Sequence, residues 1–181
     1  FRSLNHHAAT AIKSARHIAA AMETSAAGKR AATRVLEVEQ GAAIYLGGAG
    51  AVMNPEFLVA ENIKGIVTCA RDLQVLWPKF NEAVADAEAR GLKYHLVPLL
   101  DEPQQKLEVE DLRKAAGFLH QIVEAGGNVL VHCAQGRSRS TTVLLAYLAA
   151  AKNMTVVSAL ALIQDKRHMA QPNSGFMEQL R

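Results

Sequence analysis

The sequence VHCAQGRSRSTT at residues 131–142 decides how the rest of the chain is interpreted. Its first residues close the apolar run NVLVHC at 128–133, and its last residues open a long apolar segment. This pattern predicts a buried strand that ends at Cys133, a short loop, and a helix that begins near Ser140. Two arginines follow the cysteine within six residues. A cysteine that only fills a core needs no cationic neighbours, so the stretch indicates a functional site.

The residue types around Cys133 suit a phosphate and a thiolate equally well. A loop that leads into a helix gathers backbone N–H groups, and the helix dipole adds partial positive charge. Gly136 lets such a loop curl tightly, and Arg139 presents a planar pair of donors to two phosphate oxygens. Ser140 is placed to donate to the sulfur, and His132 is placed to brace the loop backbone. The pattern predicts an ionised cysteine that attacks the phosphorus of a bound phosphomonoester.

Strand and helix patterns alternate along most of the chain. The predicted strands are RVLEVE (34–39), AIYLGG (43–48), KGIVTCA (64–70), KYHLVPLL (93–100) and NVLVHC (128–133). The predicted helices are residues 1–27, 54–63, 81–90, 109–127, 140–151, 155–166 and 174–181. Asn54 and Pro55 mark one helix start, and Gly91 marks one helix end. The alternation predicts an α/β fold with a mainly parallel central sheet flanked by helices, where ligands bind beyond the carboxyl ends of the strands.

Length and composition limit the classes of protein to consider. A chain of 181 residues with half of them hydrophobic is typical of one globular domain. Two cysteines do not make a disulfide framework, which predicts a reduced, cytoplasmic protein. The longest apolar run, residues 143–151, is too short to cross a bilayer. The seven histidines have no zinc-type spacing with cysteine, so no metal site is predicted.

Positive charge is concentrated at the beginning of the chain. Residues 1–34 carry a net charge of +5, whereas the whole chain carries +3, so the remainder carries −2. This distribution argues against nucleic acid as a partner, because a nucleic-acid binder needs a basic face on its folded body. The sequence predicts a basic, Ala-rich helical extension at 1–35 and a catalytic domain at 36–181. The extension also resembles a mitochondrial transit peptide, which keeps a mitochondrial location open as an alternative.

The motif VHCAQGRSRS resembles the signature loop of the cysteine-dependent protein tyrosine phosphatases, and its SRS resembles their dual-specificity branch. The resemblance covers about residues 36–181 and includes IYLGG, IVTCA and QPNSGFMEQL. It implies a phosphotyrosine-phosphatase-like fold, a phosphocysteine intermediate, and neither a metal nor another cofactor. It also implies that Asn173 helps to hold the segment 133–138, hereafter the phosphate loop. The phosphate-binding residues of this loop are then Ala134, Gln135, Gly136, Arg137 and Ser138.

The reaction also needs a proton donor, because an alkoxide or phenoxide is a poor leaving group. The stretch LVPLLDEPQQKL at 96–107 ends a predicted strand and offers Asp101 and Glu102 on a turn. The family has an aspartate as the general acid in this loop. The resemblance therefore favours Asp101, with Glu102 as the reserve candidate.

A second cysteine lies at a comparable position in the predicted sheet. Cys69 ends the strand pattern GIVTC as Cys133 ends NVLVHC, so both are expected at the same sheet edge. Some phosphatases of this superfamily carry a cysteine there that traps the oxidised nucleophile as a disulfide. The resemblance thus implies that Cys69 is a redox partner of Cys133. The alternative is a small buried core residue.

The loop composition favours a phosphorylated protein as the substrate. Inositol-lipid phosphatases of the superfamily tend to carry lysines inside this loop; Ala134 and Gln135 do not match that pattern, although Arg137 is one extra cation. Phosphotyrosine, with phosphoserine and phosphothreonine as further candidates, is therefore the expected target. A phosphoinositide or other non-protein phosphomonoester and a catalytically silent phospho-binding module remain the alternatives. The sequence leaves the physiological substrate and the oligomeric state open.

Overall fold

The strands of the computed structural model, which describes residues 32–38 and 41–181, form one five-stranded sheet. They are β1 (Ala32–Glu37), β2 (Ala43–Gly47), β3 (Ile63–Thr68), β4 (Lys93–Leu96) and β5 (Asn128–His132). Their order across the sheet is β1-β2-β5-β3-β4. Strand β1 runs antiparallel to β2, and all other neighbours are parallel. The predicted α/β fold with a mainly parallel sheet is confirmed, with one antiparallel strand at the edge.

Helices connect the strands and cover the sheet. The described residues form α1 (Ala49–Val52), α2 (Pro55–Ala60), α3 (Arg71–Leu76), α4 (Pro78–Ala89), α5 (Val109–Glu124), α6 (Arg139–Lys152), α7 (Val156–Lys166) and α8 (Ser174–Gln179). The sequence patterns did not predict α1 and α3, because helices of four and six residues are too short to show a 3.6-residue period and these two lack the side-chain cap that marks the start of α2 and of α8. Helix α4 begins three residues before the predicted start because Pro78 suits the first helical position.

Local signals act as the sequence predicts at two helix ends. The Asn54 side chain caps α2 by accepting a hydrogen bond from the Phe57 N–H at 3.0 Å. Gly91 follows α4 with a φ of +88°, a conformation that favours glycine. The fourth strand is shorter than predicted, because pairing ends at Leu96 and does not continue to residue 100. Pro98, which has no N–H to donate, lies just beyond that end.

The sheet brings three loops together at its carboxyl edge. Strand β5 lies between β2 and β3, and its last residue, His132, is in register with Gly47 on one side and Thr68 on the other. Helix α5 contacts β3, β4 and β5 and packs against α6, so β5 is buried at the centre of the domain. The loops that follow β2, β3 and β5 therefore meet at one place, where α/β folds bind ligands.

Several predictions concern the beginning of the chain. The helix predicted at 1–27 and residue 39 of the first predicted strand lie outside the described residues. Strand β1 begins at Ala32, four residues before the boundary predicted at 36. None of the helices within the described ranges combines the length and the apolar character needed to cross a membrane.

Candidate active site

Cys133 lies at the end of β5, where the phosphate loop begins. Its side chain is only 2% exposed. The backbone around it is held by both neighbouring strands, since its N–H donates to Gly47 O at 3.3 Å and the Cys69 N–H donates to His132 O at 2.8 Å. One residue further, Ala134 O accepts from the Ala49 N–H at 3.0 Å. These hydrogen bonds fix the position of the Cys133 backbone at the start of the phosphate loop.

Hydrogen-bond donors surround the sulfur of Cys133. The Gly136 N–H donates to Sγ at 3.2 Å, and the Ser140 hydroxyl donates to it at 3.3 Å. Burial alone raises the pKa of the thiol. The Arg139 charge, the Ser140 hydroxyl and the N–H groups of Ser140 and Arg137 outweigh burial, so the pKa of Cys133 lies below its ordinary value. This arrangement favours a thiolate.

Arg139 begins α6 beside the sulfur and is 1% exposed. One end of its guanidinium donates to the Asp72 carboxylate, which lies in the first turn of α3 and is also buried. Its Nε lies 3.8 Å from Asp101 Oδ2 and is buried without a hydrogen-bond partner among the described residues. Burial disfavours its charge, but Cys133, Asp72 and Asp101 together raise the pKa of Arg139 above its ordinary value. The guanidinium therefore stays charged inside the site.

Asp101 lies in the loop after β4, and hydrogen bonds from Ser138 and Asn173 hold its carboxylate. Its Oδ1 accepts from the Ser138 hydroxyl at 2.7 Å and from the Asn173 side-chain amide at 3.1 Å. The Asn173 backbone N–H also donates to the Ser138 hydroxyl at 3.1 Å. The side-chain oxygen of Asn173 caps α8 by accepting from the Phe176 N–H at 2.9 Å. The cap fixes the orientation of the amide, so the phosphate loop, the Asp101 loop and α8 form one network.

His132 lies beneath the phosphate loop, completely buried. Its Nδ1 is 3.3 Å from Cys133 O, and its Nε2 is 2.7 Å from the Thr68 hydroxyl. A carbonyl only accepts, so Nδ1 is the donor and Nε2 accepts from Thr68. Burial is the main cause that lowers the pKa of His132 to about 4. The ring is therefore neutral at physiological pH, and it braces the backbone at Cys133.

The second cysteine lies next to the first across the sheet. Cys69 and Cys133 each follow one member of the paired residues Thr68 and His132, and both are free and buried. Burial is the main cause that raises the pKa of Cys69 well above its ordinary value, and the neighbouring Cys133 adds to it. The two thiols thus have opposite protonation tendencies. The role of Cys69 as a redox partner remains a prediction.

An open pocket of about 380 Å³ leads from the surface to Cys133. Arg137 lies on its exposed rim, where its guanidinium donates to the Gln171 side chain and its carbonyl accepts from the Gln171 N–H at 2.8 Å. Asp101 lines the pocket, whereas Glu102, the reserve candidate for the general acid, is not among the lining residues. The lining residues are Asp101, Pro103, Cys133, Ala134, Gln135, Arg137, Ser138, Arg139, Gln171, Pro172, Asn173 and Ser174. All of the predicted phosphate-binding loop residues except Gly136 thus line the same pocket as Asp101.

Two charged residues at the site were not predicted from the sequence. Asp72 pairs with Arg139 from α3, and Arg167, which follows α7, donates to the carbonyls of the phosphate loop. Neither belongs to the signature motif, and nothing local in the sequence distinguishes them from surface charges. No group of three or more histidine, cysteine, aspartate or glutamate side chains within the described ranges is arranged to hold a metal ion.

Comparisons with known proteins agree on one family. The family model described as "Dual specificity phosphatase, catalytic domain" matches residues 44–181. Dual specificity protein phosphatase 1B of Arabidopsis thaliana is 32% identical over 144 residues, which cover 80% of this chain and 78% of that protein. Dual specificity protein phosphatase 1 of the same plant is 34% identical over 143 residues, and the match covers 79% of this chain and 65% of that protein. The crystal structure of human DUSP28 superimposes with a TM-score of 0.68 at 29% identity, over 84% of this chain and 91% of that one.

Proposed function

The chain belongs to the dual specificity phosphatase family, and we propose that it hydrolyses phosphate esters in proteins through a phosphocysteine intermediate. Phosphotyrosine is the first expected target, with phosphoserine and phosphothreonine as further targets. Cys133, Arg139 and Asp101 line the same pocket, which supports the proposal.

In the first step, the Cys133 thiolate attacks phosphorus as the bond from phosphorus to the leaving oxygen breaks. The inward N–H groups of the phosphate loop and the buried Nε of Arg139 are the donors available to the phosphoryl oxygens. Asp101 gives its proton to the leaving oxygen, so the alcohol or phenol departs neutral. The products of this step are the free hydroxyl compound and a phosphocysteine.

In the second step, water attacks the phosphorus of the phosphocysteine and the S–P bond breaks. The Asp101 carboxylate accepts a proton from the attacking water, which returns it to the acid form. The sulfur leaves as a thiolate, and the Ser140 hydroxyl at 3.3 Å is placed to stabilise it. Inorganic phosphate is released, and the enzyme returns to its starting state.

A single observation carries this proposal. Cys133 Sγ accepts from the Gly136 N–H at 3.2 Å and from Ser140 Oγ at 3.3 Å, next to the charged Arg139. A cysteine that only fills a core is not stabilised by two hydrogen-bond donors and a cation. A thiolate nucleophile beside a bound phosphate dianion is stabilised by all three.

Hydrolysis of an aryl phosphate tests the chemistry. We expect the protein to hydrolyse p-nitrophenyl phosphate in the presence of a metal chelator, and we expect vanadate to inhibit this hydrolysis. Cys133→Ser should abolish turnover, and Lys114→Met, on the exposed surface of α5, is the matched control that should keep it. Hydrolysis that persists in folded Cys133→Ser would contradict the proposal.

A substrate trap tests the substrate class. Cys133→Ser retains the pocket but lacks the thiolate, so it should capture phosphopeptides without cleaving them. We expect retention of phosphotyrosine peptides, and weaker retention of phosphothreonine peptides, from an equimolar mixture with soluble inositol phosphates. Preferential retention of the inositol phosphates would overturn the assignment to protein substrates in favour of the phosphoinositide class.

A further inference from the structure

Arg167 contacts the phosphate loop from the side opposite the sulfur. It follows α7, is 7% exposed, and lies far from the signature motif in the sequence. Its Nε donates to Gly136 O at 3.0 Å, and one of its terminal nitrogens donates to Gln135 O at 3.1 Å. We propose that Arg167 is a positioning residue that holds these carbonyls outward so that the loop N–H groups point at the nucleophile and the phosphate. The inference deepens the proposed function and rests on it.

Peptide geometry links the outer carbonyls to the inner amides. In a trans peptide unit the C=O and the N–H point in opposite directions, and the described chain contains no cis peptide bond. The carbonyl of Gln135 shares its unit with the Gly136 N–H, which donates to Cys133 Sγ at 3.2 Å. The carbonyl of Gly136 shares its unit with the Arg137 N–H, which also acts on Cys133. By holding two carbonyls from outside, Arg167 thus directs two N–H groups inward.

Gly136 makes such an external restraint necessary. It has a φ of +69°, and without a Cβ it resists rotation of the adjoining peptide units less than any other residue. A side chain at this position would also collide with the backbone of Gly47 and the guanidinium of Arg167. The glycine therefore permits the tight loop but does not by itself select the orientation of the peptides. The guanidinium selects it.

The charge and shape of arginine suit this role. The nitrogens of a guanidinium lie in one plane and present parallel N–H groups, which match two adjacent carbonyl oxygens. The remaining terminal nitrogen of Arg167 donates to the Thr33 hydroxyl on β1 at 3.0 Å. This third hydrogen bond anchors the guanidinium of Arg167 to the edge strand of the sheet. A lysine retains the positive charge but has no planar fork to reproduce the three bonds.

The test compares Arg167→Lys with Lys166→Met, a matched control at the neighbouring exposed position. Two quantities are measured in the full chain: the pH midpoint for alkylation of Cys133 by iodoacetamide, and the inhibition constant of vanadate. Circular dichroism and thermal melting establish that each variant is folded. Because Arg167→Lys keeps the charge, any change reports the geometry of the loop and not the loss of a cation.

We expect Arg167→Lys to move the alkylation midpoint upward and to raise the inhibition constant of vanadate about tenfold, the loss of roughly one hydrogen bond to a charged group. Lys166→Met should match the wild type in both. A wild-type midpoint and a wild-type inhibition constant in folded Arg167→Lys would overturn the proposal.

Two further results distinguish a failure of this inference from misfolding of the variant and from a failure of the proposed function. If Arg167→Lys does not fold, Thr33→Val removes only the third anchor, and it should raise the inhibition constant in the same direction by a smaller factor. No change in Thr33→Val would then count against the role. If the wild type fails to hydrolyse aryl phosphates, the proposed function fails, but the thiol midpoint still decides whether Arg167 orients the loop.

Discussion

The buried, neutral His132 should make the stability of the protein depend on pH. In the folded state burial lowers the pKa of this ring to about 4, whereas in the unfolded chain it titrates near its ordinary value of 6.5. As the pH falls below 6.5, the unfolded state takes up a proton that the folded state does not. The free energy of unfolding therefore decreases, and the decrease continues until the pH passes the folded value of about 4.

The size of this effect follows from the difference between the two pKa values. Each unit of difference corresponds to about 1.4 kcal/mol, so the full contribution of His132 is about 3 kcal/mol. Most of it falls in an accessible range: between pH 7 and pH 5 we expect a loss of about 2 kcal/mol from this residue alone. Such a loss is a large fraction of the stability of a typical domain.

Urea unfolding of two matched proteins isolates this contribution. Both carry Cys133→Ser, so that no thiol titrates at that position, and one also carries His132→Asn. Asparagine does not titrate, but its amide is able to donate to the Cys133 carbonyl in place of Nδ1. Other groups with shifted pKa values, such as His95, are common to both proteins and cancel.

The difference in unfolding free energy between these two proteins should change by about 2 kcal/mol from pH 7 to pH 5, with the histidine protein losing more. A difference that stays constant over this range would refute the reasoning, because it would mean that His132 is protonated equally in both states. A change of the opposite sign would mean that the folded protein binds the proton more tightly.

The other predictions concern catalysis and oxidation. Asp101→Ala should lower kcat/KM, which reports formation of the phosphocysteine, about 100-fold or more on an alkyl phosphate but much less on p-nitrophenyl phosphate, whose leaving group needs little protonation; equal losses in kcat/KM would contradict a general-acid role. Gly175→Ala places a methyl group against Pro103 O and must displace the loop that carries Asp101. The loss in kcat/KM should show the same dependence on the leaving group, and the protein should lose about 1–3 kcal/mol of stability in urea. Wild-type kcat/KM values in that variant would show that the loop tolerates displacement. After mild peroxide treatment, the Cys133 sulfenic acid should condense with Cys69 and release water, so mass spectrometry should find the disulfide peptide; its absence would leave Cys69 as a core residue only.

The phosphate loop could be predicted from the sequence because its chemistry is contiguous. The sulfur, the loop glycine and the arginine that begins α6 lie within a few residues, so the strand-loop-helix pattern alone places them together. The hydrophobic periods of the long helices and the buried strands are equally local, and α5, α6, α7 and β5 lie close to where those periods predict them. The two short helices α1 and α3 have no such signal.

The sequence by itself therefore determined the candidate nucleophile, the composition of its loop and the order of the main elements, since each depends on neighbours along the chain. Only the tertiary structure decided which charges support the site. Asp72 pairs with an arginine 67 residues away, and Arg167 holds a carbonyl 31 residues away. The physical reason is that burial removes competing water and packing sets the distances. Both arise only when the fold brings Asp72 of α3 and Arg167 after α7 beside the phosphate loop and Arg139.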